Sequence, residues 1–168
     1  SIEGEFNKAI DYYSRALEIA EKLEEKSTIS YLLYYLGQLY SIMKEYEISA
    51  EILERSIKLE QEVMQENYEQ DLEILSYLYL IYKNLGKDVD EDKIQSLIKE
   101  NEDDEIDYEL NFVLYQLLEE KPYLKSAYTQ LQEKTERMDK EIKEKYYSYP
   151  IPKQIVEEFH SLELKVKS

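Results

Sequence analysis

Glycine and proline are scarce in this chain, and that scarcity limits the possible folds more than any other feature. The 168 residues include only 3 Gly and 3 Pro, although these residues make most of the tight turns of sandwiches and barrels. No segment alternates apolar and polar residues as a half-buried strand does. Apolar residues instead recur three and four positions apart, as on one face of a helix. The sequence therefore predicts an all-α protein.

The periodicity predicts eight helices joined by short turns. They cover about residues 5–26, 29–43, 45–65, 68–85, 91–100, 106–120, 123–147 and 153–166. Gly86 is placed to end the fourth helix in a left-handed conformation, and Ser27 or Thr28 is placed to cap the second. Because residues before prolines disfavour the helical conformation, residues 149–152 are predicted to form an extended break.

Composition argues against several kinds of chemistry. The chain has no Cys, which excludes disulfides and thiolate catalysis. It has one His, His160, too few for a His-based zinc site or most catalytic triads. We therefore predict no catalytic site, no metal and no cofactor. No apolar run approaches the ~18 residues of a membrane span, and the first residues do not form a secretory signal, so we expect a cytoplasmic protein.

Negative charge dominates the chain and is concentrated in its middle. The formal net charge is −17, which argues against binding to nucleic acid or to anionic membranes. Residues 66–120 contain 17 acidic and 4 basic residues, whereas residues 121–168 contain 8 acidic and 10 basic ones. The acidic run at 100–107 is expected to be an exposed loop that leads into a helix. The middle of the chain should therefore favour a basic partner.

One acidic stretch partly matches a calcium-binding loop. Asp88, Asp90 and Asp92 take the first, third and fifth positions of an EF-hand loop. The sixth and twelfth positions, which require Gly and Glu, are Lys93 and Lys99. The stretch is therefore predicted to be a capped helix start.

Comparison of the sequence with itself shows a repeated helix pair. Leu33, Leu36, Gly37 and Tyr40 have the spacing of the W-x2-L-G-x2-Y pattern, with Leu33 in place of Trp. Later units carry weaker versions at Leu75, Leu78, Tyr79 and Tyr82, and at Leu114, Tyr115 and Leu118. In the second helix of each pair the repeat has a position that usually holds a small residue. The residues at this position are Ala9, Ser49, Glu91 and Ala127, of which Glu91 departs from the pattern. Together these residues resemble the tetratricopeptide repeat family over residues 4–140, in a variant with lengthened helices.

The resemblance implies a fold and a domain organisation. The expected fold is a right-handed superhelix of about three and a half helix pairs over residues 1–147. Residues 148–168 would form a proline-containing break and a helix that packs on the array or extends it. The array begins in mid-pair, so we expect an earlier helix to precede it, and an N-terminally extended chain to melt higher. The resemblance implies that Gly37 permits close approach of two helices and that Tyr40 fills a gap in the core. A plain helical bundle is the alternative.

The resemblance also implies a binding surface, because the first helix of each pair lines the concave side of the superhelix. The predicted groove residues are Tyr31, Tyr34, Gln38, Glu73, Ser76, Tyr77, Leu80, Glu109, Phe112, Gln116 and Glu119. Tyrosine is a rigid contact residue with an apolar body and a polar tip. A groove of tyrosines and carboxylates suits a protein or peptide with a basic or amphipathic segment. Alternatively, these tyrosines lie on an ordinary wetted face, or the C-terminal helix fills the groove.

These features predict a non-catalytic protein- or peptide-binding scaffold within a larger signalling or regulatory protein. Residues 143–156 resemble the segment that closes repeat arrays in large bacterial signalling proteins. The alternative is a signal-peptide-sensing region of a quorum-type regulator. A co-chaperone role is not expected, because Tyr34, Gln38 and their neighbours replace the basic carboxylate-binding residues of that subclass. The oligomeric state is left open.

Overall fold

The computed structural model describes the backbone of residues 1–167 and the side chains as far as Glu163, and every regular element in this span is helical. The helices are α1 (Ile2–Lys22), α2 (Lys26–Ile42), α3 (Tyr46–Met64), α4 (Leu72–Asn84), α5 (Glu91–Glu100), α6 (Tyr108–Leu118), α7 (Lys121–Thr135), α8 (Lys140–Tyr146) and α9 (Pro150–Lys167). A short 3₁₀ turn, Gln65–Asn67, follows α3. The all-α prediction is confirmed. The chain forms two compact units, which divide after Ile98.

In the first unit the helices α1 to α4 pack in sequence, each against the next one along the chain. The contacts run from α1 to α2, from α2 to α3 and from α3 to α4, and α2 also touches α4. The apolar faces of α1 and α2 meet around Ala20, Ile29, Leu32 and Leu33, which are all buried. Because these contacts join neighbours in sequence, local helix pairing builds most of this core.

Small residues bring α2 and α3 unusually close together. Gly37 of α2 faces the fully buried Leu53 of α3, and a Cβ at position 37 would lie 2.6 Å from Leu53 Cγ. The buried Ser49 hydroxyl donates to the Gly37 carbonyl over 2.6 Å. The helices approach at this point because glycine has no side chain, as the sequence predicted.

A pair of serines also joins α2 and α3. The Ser30 hydroxyl donates to the Ser56 carbonyl over 3.0 Å, and the Ser56 hydroxyl donates to the Ser30 carbonyl over 2.8 Å. Both side chains are buried. Each hydroxyl is satisfied by a backbone carbonyl of the neighbouring helix, so neither carries the cost of an unpaired buried polar group.

Three helices of the first unit end in the same hydrogen-bonded turn. After α1, α2 and α4 the chain passes through a residue with positive φ, namely Glu24, Lys44 and Gly86. In each case the next residue donates its N–H to a carbonyl five positions earlier, at distances of 2.9 to 3.1 Å. This is the Schellman arrangement. It confirms the predicted helix end at Gly86. Neither Ser27 nor Thr28 caps α2, which begins at Lys26 with Glu25 in the cap position.

The second unit is organised around α6, α7 and α9. Its core contains Phe112, Leu124, Ala127, Leu131 and Ile155, which are almost completely buried. Ile155 lies on α9, so the C-terminal helix packs against α6 and α7 within this unit.

Side-chain amides connect the acidic loop to this unit. The buried Asn111 donates to the Gln130 carbonyl oxygen over 2.9 Å, and Gln130 donates to the Ile106 backbone carbonyl over 2.7 Å. Asp107 accepts from the Leu110 backbone N–H over 2.9 Å and caps α6. The loop that carries residues 100–107 is therefore fixed at its C-terminal end.

Two sequence predictions about the C-terminal third are wrong. The single helix expected over residues 123–147 is two helices, α7 and α8, separated at residues 136–139. The fully buried Thr135 ends α7, and its hydroxyl hydrogen-bonds with the Tyr147 hydroxyl over 2.8 Å. The extended break expected over residues 149–152 is not formed, because Pro150 and Pro152 lie in the first turn of α9 and residues 147–149 make a hydrogen-bonded turn. Proline is tolerated there, since the first-turn N–H groups have no partner within the helix.

Candidate functional site

Five tyrosines of the first unit form one aromatic cluster. Tyr13 of α1 stacks on Tyr35 of α2, with ring centroids 5.7 Å apart. Tyr31 and Tyr34 meet the Tyr35 ring edge-on, with centroids 4.7 and 5.3 Å away. Tyr34 also meets Tyr77 of α4 at 6.4 Å. We call these five residues the tyrosine cluster. It spans three helices and fixes the rings relative to one another.

Polar contacts hold Tyr34 at the centre of the cluster. Gln38, one turn along α2, donates to the Tyr34 hydroxyl over 2.8 Å, and that hydroxyl also hydrogen-bonds with Glu73 of α4. Burial, followed by the nearby negative charges of Glu73 and Asp71, raises the pKa of Tyr34. A hydrogen bond with Tyr31, together with burial, raises the pKa of Tyr35 to about 12. Both phenols therefore stay protonated at neutral pH.

Tyr31 is the most accessible member of the cluster. Its side chain is 59% exposed, whereas Tyr77 is 5% exposed. Tyr34, Gln38, Glu73 and Leu80 are half-buried. In the first unit the predicted groove residues thus lie on α2 and α4, which touch. Tyr77 and the buried Ser76 support this surface from within, and Tyr31 stands out from it.

The groove residues predicted on α6 belong to the second unit and are described separately. Glu109 and Gln116 are half-buried, and Glu119 is exposed at the left-handed end of α6. Phe112 is 3% exposed and belongs to the core that α6 forms with α7 and α9. Its ring is therefore a packing element of this unit and offers no open contact surface.

Sequence reasoning missed two members of the cluster, Tyr13 and Tyr35. Tyr35 lies four residues after Tyr31, so the two share a helix face. Tyr35 also occupies the same position in the second unit of the sequence repeat that Tyr77 occupies in the third. That equivalence was the available signal. Tyr13 gives no such signal, because its contact with Tyr35 depends on how α1 crosses α2.

An acidic pocket of about 260 Å³ lies beside the cluster, between α3, the 3₁₀ turn and α4. Its carboxylates are Glu60, Glu69 and Asp71, and its apolar wall includes Met64 and Ile74. Asp71 belongs to both features, because its charge acts on Tyr34 and its side chain lines the pocket. It also accepts from the Ile74 backbone N–H over 2.9 Å and caps α4. Apolar walls with a carboxylate rim match the shape and charge of a lysine or arginine side chain.

Other sequence features have structural roles. Asp90 accepts from the Lys93 backbone N–H over 3.2 Å and caps α5, as predicted for the stretch that resembles a calcium loop. Among the described residues, no group of three or more His, Asp or Glu side chains is arranged to hold a metal ion. His160 is exposed, and its Nδ1 atom lies 3.5 Å from the Glu163 carboxylate.

Comparisons with known proteins do not assign this chain. A scan against models of protein families finds no match, and searches of curated proteins and of solved structures find none either. In the described part of the chain, none of the helices is both long enough and apolar enough to cross a bilayer.

Proposed function

We propose that the chain is a tetratricopeptide-like repeat protein that binds a peptide segment of a partner protein without catalysis. In this proposal α1 to α4 follow the right-handed superhelical winding of that family. The binding surface consists of the tyrosine cluster and the acidic pocket. The single observation that carries the proposal is the clustering of exposed and half-buried tyrosines and carboxylates on the adjacent helices α2 and α4.

The helix packing of the first unit supports the repeat assignment. From α1 to α4 each helix contacts the next, and α2 also contacts α4, the first helix of the following pair. The close approach at Gly37 occurs where the repeat pattern requires a small residue. In addition, α1, α2 and α4 share one type of helix end. The contact between α2 and α4 and the glycine at the close approach favour a repeat pair over a plain bundle.

The chemistry of the surface defines the expected ligand. Tyr31 offers an exposed ring for an apolar side chain, and the carboxylates of the pocket offer partners for a cation. A lysine or arginine would place its stem against Met64 and its charge among Glu60, Glu69 and Asp71. We therefore expect a ligand with a basic residue close to an aromatic or aliphatic one. The assignment to a larger signalling protein rests only on the resemblance of residues 143–156.

A second candidate function is the sensing of a short signal peptide, as in quorum-type regulators. The half-buried rings of Tyr34 and Tyr35 favour it, because a short peptide could bury its side chains against them. The two functions predict different ligands. A free peptide of a few residues would suffice for the sensor, whereas the scaffold needs a segment within a longer chain.

The charge of the ligand can be tested by selecting peptides from a display library against this chain. We expect the selected peptides to carry Lys or Arg beside an apolar residue. Because opposite charges steer association, the on-rate should fall by about tenfold between low and physiological ionic strength. Stopped-flow measurement at a series of salt concentrations checks this. Selection of acidic peptides whose on-rate is independent of salt would refute the electrostatic part of the proposal.

A matched pair of charge variants separates the local effect from the effect of net charge. Replacing Glu60, Glu69 and Glu73 with Gln removes three charges at the proposed surface. Replacing Glu133, Glu136 and Glu144 with Gln removes the same number from the second unit. We expect the first variant to slow association and reduce its salt dependence, and the second to bind as the parent chain does.

A further inference from the structure

Helix α1 carries an apolar stripe that no part of the described chain covers. Tyr12, Ile19 and Leu23 are 71%, 60% and 62% exposed. They are separated by seven and four residues, so they line one side of the helix. Ala16, between Tyr12 and Ile19 along the helix, is half-buried and packs against the core of α1 and α2. The stripe is about 16 Å long, at 1.5 Å per residue. Single exposed apolar residues are ordinary, whereas three aligned over three turns give α1 an exposed apolar edge.

A row of positive charge runs beside this stripe. Lys8, Arg15 and Lys22 are seven residues apart and all exposed. Each lies three or four positions from Tyr12 or Ile19, which places it next to the stripe. Three of the seven basic residues in the acidic first 65 positions are therefore aligned on one edge. Arg15 pairs with Asp11 over 3.0 Å in the free protein, and both side chains are exposed.

These two features point to one occupant. We propose that the α1 stripe docks an amphipathic helix of a partner protein, with apolar residues on one face and an acidic row beside them. The acidic row of the partner would pair with Lys8, Arg15 and Lys22, and its apolar face would cover Tyr12, Ile19 and Leu23. This surface is separate from the proposed peptide-binding surface. It prefers an acidic ligand, whereas the tyrosine cluster and acidic pocket prefer a basic one.

The charge pattern disfavours a second copy of this chain as the occupant. In an antiparallel pair of α1 helices the residues at this edge face their own equivalents, so the two basic rows would lie opposite each other. In a parallel pair each basic row would face the other edge of the stripe, where Tyr13 and Ala20 pack into the protein's own core. Neither arrangement supplies carboxylates to the lysines.

The proposal can be tested with two designed helical peptides of about 18 residues, or five turns. Both carry a leucine stripe, one with a glutamate row beside it and the other with a lysine row. Nuclear magnetic resonance titration of the full chain measures binding. We expect the glutamate peptide to shift the amide signals of residues 8–23 and to bind more tightly than the lysine peptide. No binding of the glutamate peptide, or equal affinity for both peptides, overturns the proposal.

Charge reversal distinguishes docking at α1 from general attraction. The variant K8E/R15E/K22E should weaken binding of the glutamate peptide by about tenfold or more and should strengthen binding of the lysine peptide, because three exposed ion pairs become repulsive. The control K44E/K58E/K93E makes the same change in net charge at other positions of the first unit and should leave the preference intact. If the control acts as strongly as the α1 variant, the proposal is wrong.

Removal of apolar groups tests the stripe itself. Ile19→Ser should weaken binding of the glutamate peptide by about tenfold. The control Ile48→Ser, at an exposed isoleucine of α3, should leave this binding unchanged. Because Ile19 is exposed, the circular dichroism spectrum and melting temperature of the Ile19→Ser variant should match those of the parent chain. Sedimentation of the free protein provides a further decision. A dimer that Ile19→Ser dissociates would make a second copy the occupant and overturn the proposal. Loss of glutamate-peptide binding in a chain extended N-terminally by the expected earlier helix would make that helix the occupant and overturn it as well.

Discussion

Leu53→Ala is expected to lower the free energy of unfolding of the first unit by about 3–5 kcal/mol, the range for a leucine whose removal leaves a cavity. Leu53 is fully buried, and it fills the space that Gly37 leaves between α2 and α3. The matched control is Leu39→Ala, because Leu39 is a half-buried leucine of α2. Denaturant unfolding followed by circular dichroism measures both. A loss for Leu53→Ala no larger than that for Leu39→Ala would contradict the packing described here.

Gly37→Ala extends this prediction. Alanine is the better helix former by up to about 1 kcal/mol, yet its Cβ would overlap the side chain of the fully buried Leu53. We expect a net destabilisation of about 1–3 kcal/mol. In the double variant Gly37→Ala/Leu53→Ala the new methyl group occupies part of the cavity, so the two losses should not add. Additive losses would show that these residues do not meet.

Phe112→Ala should destabilise the second unit by about 3–5 kcal/mol, since it removes a large side chain from a fully packed core. Phe112 contacts the cluster formed by Leu124, Ala127, Leu131 and Ile155. Hydrogen exchange of the α6 and α7 amides measures the effect where it arises, even if the two units do not unfold together. The control Phe112→Leu keeps most of the volume and should cost less than about 1.5 kcal/mol. If Phe112→Ala retained the exchange protection of the parent chain, the side chain would be a surface residue.

The sequence predicted the helices well because their apolar periodicity is strong, and it predicted several ends poorly. The ends after α1 and α2 use Glu24 and Lys44 in the left-handed conformation, which glycine usually adopts. Only Gly86 carried the expected signal. Thr135, the last residue of α7, makes a tertiary hydrogen bond with Tyr147, and no local pattern encodes such a contact. The serines that join α2 and α3, Ser30 and Ser56, read as surface residues because only their pairing makes burial favourable.

The candidate site was predictable in part for the same reason. Helical spacing placed Tyr31 and Tyr34 on one face of α2, and the repeat placed Glu73 on the neighbouring helix. Spacing does not report depth, so Tyr77 and Phe112 were predicted to line a groove and are buried. Conversely, Tyr40 was predicted to fill the core and is half-buried. Tyrosine has an apolar ring and a polar tip, and it often occupies such intermediate positions.

The most direct test of the central proposal is to measure by calorimetry how Tyr31→Ala changes the binding of a library-selected basic peptide. Tyr31 is exposed in the free protein, so the change should leave the melting temperature almost unaltered. It should weaken binding by the ~1–2 kcal/mol or more of an aromatic anchor. The control Tyr12→Ala removes another exposed tyrosine, on α1, and should leave this affinity unchanged. Equal affinity of the Tyr31→Ala variant and the parent chain would contradict the assignment of the binding surface to the tyrosine cluster.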